Sequence, residues 1–170
     1  KVIIPFPTSK MISKNCLQLY TLNQLYITWE RKSPVHEINS PQILAEVSAA
    51  HERYEQALSE NNIDVLDELF WENSLTLRYG IGENLYGHDQ ISIFRRKRET
   101  SNLDREILKL TITTFGKDFA TTNLEFKRLK SDQIGRQSQT WLRTEKGWKI
   151  VSAHVSLMRE EKIKSNLEKI

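Results

Sequence analysis

The 170-residue sequence predicts an α+β domain: a cone-shaped, curved, mostly antiparallel sheet with N-terminal helices packed on one face so that they enclose a pocket. Three observations carry this prediction. Helical periodicity sets in at Ser40-Pro41, a lone strand-like segment and a third helix follow, and four long alternating segments then run from Arg105 to Met158. That order is helices, strand, helix and meander, without internal repeat or low-complexity tract.

Ser40 stands at an N-cap position, and Pro41 suits a first helical turn. Leu44, Val47, His51, Tyr54 and Leu58 then recur at spacings of three and four, which gathers them on one stripe and turns Tyr54 inward. After Asn61-Asn62, residues 63–71 read as a second helix with Leu66, Leu69 and Phe70 toward the core. Residues 74–79 alternate as a strand, with Leu75, Leu77 and Tyr79 opposite Thr76 and Arg78. Gly80, Gly82 and Gly87 mark a loop, and residues 89–98 form a third helix carrying Ile91, Ile93 and Phe94. The meander comprises 105–115, 119–129, 134–144 and 147–158. In its last hairpin Gln137, Gln139 and Trp141 share one face, and Trp148, Ile150, Ser152, His154 and Ser156 share another. A sheet face that mixes Trp with Gln, Ser and His supplies what a small polar ligand needs, apolar walls with a few hydrogen-bonding groups.

Composition bounds the function. One core fits this length, giving an N-terminal extension (1–37) whose status the sequence leaves open, a domain (38–158) and a charged C-terminal tail (159–170). The extension holds five basic and two acidic residues, so it accounts for the whole net charge of +3 and leaves twenty of each sign elsewhere. The run Arg95-Arg-Lys-Arg98 then reads as a solvated, dipole-favoured helix end, and no nucleic-acid partner is expected. No apolar run reaches the roughly 20 residues of a membrane span, and the opening residues lack the pattern of a secretory signal. The single Cys16 excludes an internal disulfide and points to a reducing, cytoplasmic setting. His36, His51, His88 and His154 show no zinc-type spacing, so no metal is expected. The glycines from Gly80 to Gly87 match neither a phosphate-binding nor a dinucleotide fingerprint, so no cofactor is expected either.

From about Asn39 to Met158 the sequence resembles the AtzH-like proteins, which include those labelled oxalurate catabolism protein HpxZ, a branch of the nuclear transport factor 2-like and SnoaL-like superfamily. The resemblance rests on His51-Glu-Arg-Tyr-Glu-Gln-Ala-Leu58, Leu69-Phe-Trp71, Ile112-Thr-Thr-Phe-Gly116, Arg136-Gln-Ser-Gln-Thr-Trp141, Ala153-His-Val-Ser156 and, most discriminating, Arg78-Tyr-Gly-Ile-Gly-Glu-Asn-Leu-Tyr-Gly87. It implies a homodimeric cone fold and a role in bacterial ureide breakdown. The implied activity is hydrolysis of a C–N bond in a small carboxylated urea, with a Tyr on the first helix and an Arg on the first strand as essential pocket residues. Those positions hold Tyr54 and Arg78.

The residue chemistry agrees with those roles while leaving alternatives open. A guanidinium matches a carboxylate bidentately, so Arg78 suits a substrate anchor, whereas alternation alone makes it a solvent-facing edge arginine. Tyr54 can stabilise an oxyanion or exchange a proton, or it is a core tyrosine with a satisfied hydroxyl. Tyr86, Gln137, Gln139 and His154 are candidate lining groups for a ureide, with structural hydrogen bonding as the alternative. Glu125 is a weaker candidate base. Three functions follow: a cofactor-free amidohydrolase of a ureido-carboxylate, a non-catalytic ureide-binding module assisting a partner amidase, and an isomerase or dehydratase using Glu125 or His154.

Overall fold

The structure is a computed structural model that describes residues 37–98, 104–128 and 133–159. The predicted extension and tail lie almost wholly outside these residues. Helix α1 spans Pro41–Ser59, with Ile43, Val47, His51, Tyr54 and Ala57 buried; Leu44 and Leu58 flank this stripe and are half-buried. Ser40 does not cap it through its hydroxyl; only its carbonyl takes part, accepting from the Leu44 amide at 2.8 Å. Helix α2, Ile63–Leu69, is capped instead by the Asn62 side chain, which accepts from the Val65 amide at 3.2 Å.

The sheet contains β1 (Leu77–Tyr79), β2 (Asn84–Tyr86), β3 (Arg105–Phe115), β4 (Phe119–Arg128), β5 (Gln133–Thr144) and β6 (Gly147–Arg159), with α3 (His88–Lys97) between β2 and β3. Their order is β2-β1-β6-β5-β4-β3, antiparallel throughout except for β1 beside β6. The meander follows the predicted boundaries to within one residue. The predicted first strand is shorter than expected: exposed Leu75 and buried Thr76 precede it, and the Thr76 hydroxyl donates to the Trp71 carbonyl at 2.7 Å. Strand β2 falls where the glycines suggested only a loop. Its three residues, Asn84–Tyr86, are too few for alternation to register.

One face of the sheet packs under the helices. Ala120, Trp141, Trp148, Ile150 and Ala153 from the strands meet Val47, Tyr54, Leu66, Leu69, Phe70 and Ile91 in a single core. Burying such aliphatic and aromatic side chains stabilises the fold by about 1.5–3 kcal/mol each. The sheet's other face carries small polar groups: Thr111, Asn123, Ser138 and His154 lie in one cross-strand row.

Candidate functional site

Helix α1 lowers Tyr54, 6% exposed, onto the inner sheet face, where its hydroxyl lies 3.5 Å from Gln137 Oε1 on β5. Strand β1 delivers Arg78 to the same place, because Arg78 is in register with inward-facing Ala153 of β6. Together they line a cavity of about 60 Å³. Its sheet side includes Phe126, Arg128 and Val155; its helical side includes Leu58, Arg95 and Arg98; Arg105 closes the β3 end.

Hydrogen-bond donors dominate this lining. Arg105 Nη1 donates to Gln137 Oε1 at 3.3 Å, and since a guanidinium only donates, the facing atom must be the amide oxygen. Gln137 Nε2 is therefore left buried without a partner among the described residues, and so is Arg98 Nε. Buried donors without acceptors cost stability in a purely structural role. Three arginines meet carboxylates. Arg78 pairs with Glu83, Arg95 with Asp67 at 3.0 Å, and Arg105 with both oxygens of Glu55 at 3.0 and 2.5 Å. Arg98 Nη2 donates to the neutral Asn61 Oδ1 at 3.2 Å. Among the described residues neither Arg98 nor Arg128 has a carboxylate partner, so the cavity carries a surplus of positive charge. Burial pulls the pKa values of Arg95 and Arg98 below the usual arginine range, yet guanidinium basicity keeps both protonated. A surplus of positive charge in a partly shielded cavity favours anions over neutral or cationic groups.

The sequence-predicted residues divide between the two sheet faces. Tyr54, Arg78 and Gln137 converge on the cavity. Gln139 is on the inner face but away from it, accepting from the Thr122 hydroxyl at 3.1 Å, while Thr122 accepts from Trp141 Nε1 at 3.1 Å. Tyr86, His154 and Glu125 are on the outer face and cannot reach the cavity. Tyr86 is 55% exposed and stacks edge-on with Tyr79, which also meets the His154 ring at 6.1 Å. A register shift opposite Thr140/Trp141 explains His154. It lies where Trp141 pairs with Ile150 but Thr140 pairs with Ser152, so the extra residue Val151 reverses the alternation along β6. Trp148 and Ile150 face inward, as does Ala153, and Ser152, His154 and Ser156 turn outward.

Sequence reasoning missed the other arginines. Arg95 belongs to the run read as a solvated helix end, yet it is buried, donates to the Leu66 carbonyl at 2.9 Å and stacks 4.2 Å from the Phe70 ring centroid. Its spacing of four from buried Ile91 was the available signal. Arg105 and Arg128 are register partners at the end of the β3–β4 ladder, a relationship visible only once the strands are paired. A wider groove of about 590 Å³ lies elsewhere, lined by Asp67, Phe70, Trp71, His88, Lys146 and Lys149 among others. Its charges largely neutralise one another: Lys149 Nζ lies 3.8 Å from Glu68 Oε1 and Lys146 Nζ lies 4.0 Å from Glu72 Oε2. Among the described residues no three His, Cys, Asp or Glu side chains gather as a metal site. No described helix is long and apolar enough to cross a membrane.

Comparison with known proteins adds to this geometry. The AtzH-like family model matches residues 36–161. A solved protein of unknown function from the DUF3225 family of Pectobacterium atrosepticum is 52% identical, over 71% of this chain and 94% of its own, with a TM-score of 0.70. A cystatin-like fold protein from Burkholderia xenovorans is 44% identical, over 73% and 98% of the respective chains, with a TM-score of 0.71. A nuclear transport factor 2-like superfamily protein from Salmonella enterica, 19% identical over 68% and 91%, shares the fold at a TM-score of 0.58. No curated protein matches the chain.

Proposed function

The chain belongs to the AtzH-like family, and from that premise we propose that it is a cofactor-independent amidohydrolase of a small ureido-carboxylate in bacterial ureide catabolism. The observation that carries the reading is the convergence of Tyr54, Arg78 and Gln137 on one cavity with more arginines than carboxylates. Arg78 holds the substrate carboxylate by charge-assisted hydrogen bonds. The unpartnered Gln137 Nε2 donates to the ureido carbonyl, and the Tyr54 hydroxyl donates to the carbonyl oxygen or to the departing nitrogen as water adds to the carbon. Water supplies the oxygen and two hydrogens, giving ammonia or an amine and a carbamic acid, which then loses carbon dioxide.

A second reading is favoured by one observation: the described lining residues include no Asp, Glu, Ser, Cys or His to activate that water. In it the protein binds the ureide and assists a separate amidase. The homodimer and the cytoplasmic setting belong to the same proposal. Exposed Ile107, Leu108 and Leu110 on edge strand β3 support the dimer, because an open apolar edge invites pairing.

Oxalurate, carboxylated ureas and biuret derivatives offered to the protein, with ammonia release and thermal stability followed together, separate these readings. The amidohydrolase releases ammonia, Arg78→Ala weakens substrate binding about 100-fold, and Tyr54→Phe lowers kcat about 100-fold with KM little changed. Stabilisation without ammonia identifies the binding module; ammonia release unaffected by Tyr54→Phe removes Tyr54 from the chemistry.

A further inference from the structure

The glycine-rich turn between β1 and β2 contains a carboxylate to which the reaction scheme gives no task. The Gly80 amide donates to the Glu83 carbonyl at 2.8 Å, closing a four-residue turn. Inside it the Glu83 side chain folds back, with Oε1 on Arg78 Nη1 and Oε2 accepting from the Gly82 amide at 3.2 Å. Room for this comes from Gly80, because a Cβ there would lie 1.8 Å from Glu83 Oε1. The pair is largely shielded: the side chains of Arg78 and Glu83 are 16% and 25% exposed. The remainder of the turn is open, with Ile81 exposed and nothing within 4 Å of a Cβ at Gly82.

We propose that Glu83 is a specificity-determining residue whose carboxylate occupies the anion position on Arg78 in the unliganded protein and is exchanged for the carboxylate of the ligand. This rests on the reading that Arg78 binds a ligand carboxylate. A neutral urea has no charge with which to displace Glu83, since a charge-assisted bond is about twice as strong as a neutral one. A ligand carboxylate remakes the bond that is broken and adds attraction to Arg98 and Arg128, the two cavity arginines that have no carboxylate partner among the described residues. The displaced Glu83 side chain has open solvent beside Gly82 to enter. The resident carboxylate thereby rejects neutral analogues at the cost of some affinity for the correct ligand, a discrimination made by a competing group as much as by an attractive one.

Two substitutions separate occupancy from charge. Glu83→Gln removes the competing charge, and Gly80→Ala expels the carboxylate from its place without changing the net charge. Gly80 is not among the glycines with positive φ, so its backbone accepts alanine. Calorimetric titration of the full chain with oxalurate and with its neutral amide is the measurement. Both variants are expected to bind oxalurate about tenfold tighter than the parent and to tighten the neutral amide by at least as much, so that the preference for the acid does not rise, and Arg78→Ala to weaken oxalurate binding about 100-fold in each background. Arg78-dependent binding that neither variant tightens overturns the role of Glu83 while leaving the carboxylate reading intact. Tightening by Glu83→Gln alone shows a long-range charge effect and overturns the exchange. Oxalurate binding absent or independent of Arg78 in every form overturns the carboxylate reading and this proposal with it.

Discussion

His51 is a buried imidazole whose Nε2 has no hydrogen-bond partner among the described residues and lies 3.6 Å from Glu55 Oε1. Burial pushes its pKa below the usual value; Glu55 opposes that shift, and nearby Arg105 adds to it. Within the window between the lowered folded pKa and the unfolded pKa of about 6.5, the unfolded chain binds more protons, so stability rises with pH there. The neutral imidazole's contribution is therefore present above about pH 6.5 and lost as the medium becomes more acidic. Chemical denaturation of the parent and of His51→Gln from about pH 5 to 8 checks this. The parent should lose up to about 1.4 kcal/mol per pH unit more than the variant below about pH 6.5, and the two should run parallel above it. Parallel curves throughout would mean that His51 is not held neutral. Glu55, which opposes this shift, also accepts from Arg105 Nε and Nη2, so one carboxylate links the buried imidazole to the cavity wall.

At the level of elements, β4 and β5 meet at Gly135 and Phe126, where a Cβ on Gly135 would lie 2.2 Å from the Phe126 ring. The ring packs directly on the glycine backbone and carries the Arg105 guanidinium 4.4 Å from its centroid. Gly135→Ala is thus expected to destabilise the protein by about 1–3 kcal/mol and to weaken ligand binding by moving Arg105. Urea denaturation beside a binding titration checks both, and full stability would show that the ring relocates freely. The same strands explain how much was legible beforehand. Long alternating segments announce themselves by period, so the four strands of the meander and the inward stripe around Val47 and Tyr54 were readable from sequence. A one-residue register change is invisible to period, and it reversed the face of His154. Helical periodicity did offer Arg95 four positions after Ile91, but composition argued that a run of four cations is solvated. Burial of one member is set by Phe70 and Asp67, which arrive from another helix and its end. Tyr54 and Arg78 were legible mainly through resemblance, since neither position carries an intrinsic signal that outweighs its structural alternative.

For the molecule as a whole, edge strand β3 is the exposed margin that a second copy would cover. Light-scattering mass of the parent is expected at twice the 20.0 kDa chain mass, and Leu110→Lys should shift it toward one. An unchanged dimer would place the contact elsewhere; a monomeric parent would remove the dimer from the proposal. The parallel pairing of β1 with β6 bears on a different matter, the order in which the protein assembles during synthesis. Leu77 pairs with Tyr86 of the short β2 on one side and with Ser152 on the other, and β6 is the neighbour that fixes β1 in the rest of the sheet. A ribosome must therefore deliver nearly the whole domain before Arg78 can take up its position. Until then β1 and β2 form an isolated two-stranded hairpin, marginal in water, and the apolar undersides of α1 and α2 lack much of their cover. Chains stalled before residue 147 should thus be held by chaperones or aggregate, and recovery of ligand binding on refolding should track closure of this long-range strand pair, a step slow by the measure of its sequence separation.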